Sequence, residues 1–368
     1  MRKEHDVVRS RFPAAITFVA ISTVLLVVTI RATSTFADGA TLQLGAGEGS
    51  ISITVDEYGS FGSGVADDCV GNCPGPGEAQ FQPVGLAAAI STTQESGLAV
   101  TDRTAVSPHV RTFLTQGLIG VVESNGVPAA QQNGSFLTIT STSAQSTFSR
   151  DGMAYQLLQS VEPLVTSGNQ TGAVLSQAYE ITNTESLTRS IDLARYIDPD
   201  LVFDNSDITD VLNDGGGRLI IDGNEILYAS DSPGSPSQGQ VFLGINTAIV
   251  GAPSMSMFEV SELVVLPFFG DGLDERIIKG LALTDDIGGD IDDDGDVDNG
   301  GDVTMGQLVN AMLGPNETFT LITRTVFGSG SIDGFDGFPG GGGVPEPATV
   351  AMLSLAGTAL LQRRRHAQ

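Results

Sequence analysis

Two neighbouring stretches, Ala173-Val-Leu-Ser-Gln-Ala-Tyr-Glu-Ile-Thr-Asn183 and Ser190-Ile-Asp-Leu-Ala-Arg-Tyr-Ile-Asp198, decide how this chain is read. In the first, Leu175, Gln177, Tyr179 and Ile181 recur at every second position; in the second, Ile191, Leu193 and Ile197 do so with Arg195 among them. A period of two belongs to a strand that buries one face, so both stretches are expected as β-strands. The segment Thr182-Asn183-Thr184-Glu185-Ser186 is rich in turn formers, which makes the pair a predicted hairpin.

Similar signals extend in both directions. Ile51, Ile53 and Val55 alternate, and short apolar runs at Phe113-Leu114, Leu118 to Val122 and Phe136 to Thr140 lie between turn residues such as Ser124-Asn125-Gly126 and Asn133-Gly134. Residues 218–221, 225–229, 240–245 and 258–268 are further strand candidates, the first two joined tightly at Asp222-Gly223-Asn224, and Phe319 to Phe327 closes the series. Strands without intervening helices predict an all-β, antiparallel β-sandwich body over residues 38–327. One sandwich can absorb this length, and two smaller ones divided near 141–150 are the alternative. No period of 20–50 residues marks a repeat array.

The two ends read as export segments. Arg2, Lys3, Arg9 and Arg11 precede an apolar stretch from Ala14 to Ile30 that closes on Thr35-Phe36-Ala37, the layout of a signal peptide over residues 1–37, with an uncleaved hydrophobic helix as the alternative. At the other end a Gly-rich linker (328–343) leads into Val344-Pro345-Glu346-Pro347, an apolar run from Ala348 to Leu361 and the cluster Arg363-Arg364-Arg365. As a helix that run measures about 21 Å, short of the ~30 Å hydrocarbon core, so it makes a marginal membrane anchor with cytoplasmic arginines. The three-part order resembles the PEP-CTERM sorting signal. The resemblance covers residues 344–368 and implies an exosortase-type processing protease as partner, a transient transmembrane hold in the inner membrane, and delivery to the cell surface or extracellular matrix. A permanent single-span anchor and a buried core helix are the other readings of the tail.

Across 368 residues the formal net charge is −27, and five of the basic residues precede Asp38 while three follow Val344. A body this acidic repels nucleic acid and favours divalent cations and cationic partners. In an exported protein Cys69 and Cys73, separated by three residues, suit a disulfide across a short loop; a free thiol pair is the alternative, and zinc would need further soft ligands where the body offers only His109.

The sharpest internal motif runs from Asp290 to Asp302. Counted from Asp290, carboxylates stand at loop positions 1, 3, 5 and 9 (Asp290, Asp292, Asp294, Asp298), Gly295 at 6, Asp296 at 7 where a backbone carbonyl would ligate, and apolar Val297 at 8 where it can pin the loop to the core. This resembles the EF-hand and dockerin-type calcium loop, implying calcium as the cofactor. Position 12 is Gly301 and the next acid, Asp302, comes one place late; a single such loop also departs from a dockerin, which carries two. Met305, Leu308, Val309, Met312 and Leu313 then fall at helical spacing, so one short helix is expected after the acidic loop, ending at Gly314-Pro315. The alternative is a solvated acidic loop without an ion.

A second acidic group, Asp198-Pro-Asp200 with Asp204, Asp207 and Asp210, reads as a loop of Asp-capped turns, or as carboxylates for a cation or glycoside chemistry. His109 is expected at a loop or strand edge, and neither a Gly-x-Ser-x-Gly elbow nor a phosphate-binding Gly-rich loop occurs. Tryptophan is absent, which weakens sugar stacking, although Tyr58, Tyr155, Tyr179, Tyr196 and Tyr228 can stack or pack. The leading expectation is a non-enzymatic surface or matrix protein. The alternative is a carbohydrate-binding module or glycan-active envelope enzyme, with extracellular polysaccharide as partner.

Overall fold

The computed structural model describes residues 39–62, 79–104, 109–114, 134–164, 171–199, 201, 214–221, 224–231, 241–250, 256–262, 273, 276–277, 281–293, 295–297, 302–332 and 335. By its contacts the chain divides into residues 1–36 and 37–368, and the described residues all belong to the second unit. Among the described residues the ordered elements are strands: β1 (Ala40–Leu44), β2 (Ile51–Val55), β3 (Ala79–Phe81), β4 (Ile90–Ser91), β5 (Thr93–Asp102), β6 (His109–Leu114), β7 (Ser135–Ile139), β8 (Ser143–Arg150), β9 (Met153–Pro163) and β10 (Thr171–Asn183). They continue as β11 (Arg189–Pro199), β12 (Gly215–Ile221), β13 (Asn224–Ser230), β14 (Val241–Val250), β15 (Ser256–Glu262), β16 (Asp286–Ile287), β17 (Val303–Leu313) and β18 (Thr318–Ser329).

An eight-stranded sheet, ordered β12-β13-β14-β18-β10-β9-β8-β7, faces a six-stranded sheet, β16-β15-β17-β11-β5-β6, while β1 to β4 form a small third sheet. Pairing is antiparallel except at the two-residue contact of β15 with β16. The expected all-β, antiparallel, sandwich-like body is therefore what forms. One large buried cluster joins Leu175, Leu243, Ile245 and Phe327 of the eight-stranded sheet to Ile197, Val260, Val303 and Met305 of the six-stranded one. A second joins Tyr155, Leu157, Tyr179 and Ile181 to Leu98, Ile191, Leu193 and Val309. The Ser/Thr-rich stretch near 141–150 does not divide the body, because β8 is a paired strand inside the eight-stranded sheet. Ile221 pairs with Asn224, the tight connection expected there.

The predicted hairpin of β10 with β11 does not form. β10 pairs with β9 and β18, β11 pairs with β5 and β17, and the connection crosses between sheets. The two buried stripes thus meet face to face across the core instead of lying side by side. Asn183 holds the crossing: its Nδ2 donates to the carbonyls of Leu187 (2.7 Å), Leu313 (3.0 Å) and Gly314 (3.1 Å), and its Oδ1 accepts from the Glu185 amide (3.0 Å).

The helix expected at Met305 to Leu313 is also corrected: these residues belong to β17, paired to β15 and β11 on its two sides. The strand is buried on both faces over most of its length, so its sequence lacks the alternation of a half-buried strand and mimics a helical stripe. Gly306 fits this placement, since a Cβ there would press on the Leu273 side chain at 3.1 Å. The N- and C-terminal segments expected as hydrophobic helices lie outside the described residues. Among the described residues no helix is long and apolar enough to cross a membrane.

A loop at 56–61 plugs one part of the sandwich and was not foreseen. Gln177 donates to the Gly59 carbonyl (2.6 Å) and to Gln159 Oε1 (2.8 Å), Gln159 donates to the Asp56 carbonyl (2.8 Å), and the Tyr179 hydroxyl donates to the Tyr58 carbonyl (3.1 Å). Beside it Arg195 is fully buried, donating to the carbonyls of Gly97 (2.8 Å) and Tyr196 (3.0 Å) with its guanidinium 5.3 Å from the Phe61 ring centroid. Burial lowers its pKa to about 10.

Candidate functional site

The acidic segment leaves β16 and returns to β17, both in the six-stranded sheet, and on the way it touches the edge of the other sheet. Asp290 closes the first turn: its Oδ2 accepts the Gly295 amide at 3.0 Å. Asp293 (φ 61°) and Gly295 (φ 97°) take the left-handed backbone that so sharp a reversal requires. The chain then bridges to β12, Asp296 opposite Gly217, with the Val297 amide on the Gly216 carbonyl (2.6 Å) and the Arg218 amide on the Gly295 carbonyl (3.2 Å). Val297 is fully buried in the main core, the pinning role its position in the motif suggests. The Tyr228 hydroxyl donates to Asp296 Oδ1. Gly217 makes the approach possible, because a Cβ would strike Asp296 Oδ1 and lie 2.6 Å from the Gly295 carbonyl oxygen.

Beside this loop lies an open groove of about 260 Å³ lined by Arg218, Ile220, Phe258, Asp285, Asp290 and Gly295 among others. The Arg218 guanidinium stacks 4.3 Å from the Phe258 centroid and its Nε sits 2.6 Å from Glu225 Oε1. Asp285 Oδ1 accepts the Phe258 amide at 2.9 Å, which fixes the groove wall to β15. A cation held on an aromatic face beside carboxylates can bind hydrogen-bonding or charged groups from solvent. Arg218 and Phe258 were not singled out in the sequence; Phe258 was visible there only as the start of an apolar run.

Of the proposed calcium ligands, Asp290, Asp292, Asp296 and Asp302 are described, whereas Asp294 and Asp298 lie outside the described residues. Asp292 is exposed, Asp290 and Asp296 are half-buried, and the Asp296 carboxylate turns toward Tyr228. Among the described residues no three acidic, His or Cys side chains converge. The residue types still suit calcium chemically: hard carboxylate oxygens on a loop turned at Gly295.

Asp198 is not in a loop, as expected, but in β11, buried directly opposite Glu95 of β5, next to a register shift at Pro199. Asp200, Asp204, Asp207 and Asp210 lie outside the described residues, as do Cys69, Cys73, Val344, Pro345, Glu346, Pro347, Arg363, Arg364 and Arg365. His109 opens β6 at the edge of the six-stranded sheet, opposite Asp102. The five tyrosines are all buried, so they serve packing and offer no exposed stacking platform.

No family model and no curated protein matches this sequence. Among solved structures the chain is similar to a polysaccharide lyase, at 12% identity and TM-score 0.41, covering 79% of this chain and 34% of the lyase. It is also similar to a protein described as a kojibiose phosphorylase from the human microbiome, at 10% identity and TM-score 0.31, covering 75% of this chain and 29% of that one. The chain thus spans about a third of each. Likenesses with scores this low carry no argument about activity.

Proposed function

We propose that this chain is an exported, non-catalytic surface or matrix protein whose acidic loop takes calcium. The carboxylates of Asp290, Asp292, Asp294, Asp298 and Asp302, with the main-chain carbonyl of Asp296, would hold the ion. Bound calcium supplies charge neutralisation for seven aspartates between 290 and 302. The observation that supports this most is how the loop is seated: Val297 is buried and Asp296 is bridged to Gly217, while Ile291, Asp292 and Asp293 run exposed over the surface. Delivery rests on the PEP-CTERM-like tail, with an exosortase-type protease and the inner membrane as transient partners.

A second reading is carbohydrate binding at the groove, supported by Arg218 stacked on Phe258 beside Asp285 and Asp290. Two measurements separate the readings. Mass spectrometry of protein from medium and envelope fractions should find the mature start at Asp38 and a cut near Pro345-Glu346-Pro347; intact ends in cytosolic protein alone would overturn export. A glycan array should show no saccharide binding. Binding that is lost in Arg218→Ala would transfer the assignment to the groove.

A further inference from the structure

Beyond the end of β18 the chain does not leave the body at once. It turns at Gly330 (φ 97°) and lays Ile332 (0% exposed) and Phe335 (4%) on the outward face of the eight-stranded sheet. The Phe335 amide donates to the Ile332 carbonyl at 2.8 Å, and its ring lies 5.8 Å from that of Phe242. The folded body therefore runs past the Gly-rich start expected at 328. The cluster that receives these two side chains contains Val174, Ile226, Phe242, Val326 and Tyr228.

Tyr228 belongs to two structures at once. Its ring is part of the cluster that seats Ile332 and Phe335, and its hydroxyl holds the Asp296 carboxylate of the acidic loop. Gly217, opposite Tyr228 across the β12–β13 pair, leaves the loop close against this tyrosine with no side chain between them. We propose that Ile332 and Phe335 form a strap coupled through Tyr228 to the acidic loop, so that the seating of the loop governs how firmly the body holds the chain at its exit toward Pro345. When the loop lifts, Tyr228 loses its bond to Asp296, the cluster loosens, and the apolar anchors of the strap are exposed together with the backbone around them. This coupling requires neither bound calcium nor any particular fate of the tail.

Hydrogen–deuterium exchange of the full chain, read by mass spectrometry, tests it. Tyr228→Phe keeps the ring in the cluster and removes the hydroxyl. It should speed exchange in residues 295–297 and, by about fivefold to tenfold, at the Phe335 amide, with β10 unchanged. Coupling is reciprocal, so Phe335→Ala should speed exchange at residues 295–297. Asp296→Asn serves as the second loop variant should β10 exchange reveal global loosening in the first. Faster loop exchange with an unaltered Phe335 amide would overturn the relay, as would no change at either place.

Discussion

Gln177 and Arg195 stand at inward positions of two otherwise apolar stripes, and each is there because a distant backbone needs it. Gln177 binds the 56–61 loop, and Arg195 satisfies carbonyls at Gly97 and Tyr196. The sequence shows such residues as interruptions in a pattern, but their partners lie far along the chain and leave no local sign. The same loop holds Asp56, whose Oδ1 accepts the amides of Tyr58 (2.9 Å) and Ser60 (2.7 Å). Burial lifts its carboxyl from 3.8 to about 7, outweighing those amides. In the folded protein it keeps a proton that the unfolded chain has already lost, so its stabilisation is complete below pH 4 and is lost as pH rises through 7. Asp56→Asn retains an acceptor and cannot ionise. Its melting temperature should fall less steeply than the parent's between pH 4 and 8, leaving it more stable at pH 8 by on the order of 1 kcal/mol; parallel curves would contradict this.

At the level of elements, many strands were legible from their alternation, whereas their partners, apart from β12 with β13, were not. A five-residue link between two half-buried strands suits a hairpin within one sheet or a crossing between two, and periodicity is identical in both cases. Asn183 holds the crossing: its carboxamide meets the Glu185 amide and Leu187 carbonyl inside the link and the carbonyls of Leu313 and Gly314 from far along the chain. Asn183→Ala strands those carbonyls in a buried place. It should cost about 2–3 kcal/mol, a fall in melting temperature of roughly 5–10 °C; a loss below about 0.5 kcal/mol would contradict the role assigned to it. β17 misled for a different reason. Covered on both faces, it needs apolar residues on both, and its spacing then fits a helix by accident. The acidic motif was more legible, since glycine and valine at fixed offsets state a turn and an anchor; its docking on Gly217 and Tyr228 was not, because a glycine in a strand does not announce what approaches it.

Over the whole molecule, the formal charge of −27 is set against a sandwich whose two sheets share large apolar clusters. Repulsion among acids is weak where they are spread out and greater where they crowd in sequence, as the seven aspartates between 290 and 302 do. That contrast makes cation binding the central claim. The most direct test is the melting temperature of the purified protein in calcium against chelator, with Asp292→Ala and Asp294→Ala alongside. Extracellular calcium modules bind at ~10⁻⁴–10⁻³ M, and calcium a hundredfold above the dissociation constant adds about 2.7 kcal/mol. The account predicts a rise of roughly 5–10 °C in the parent and little in the variants. Equal melting temperatures with and without calcium would contradict it.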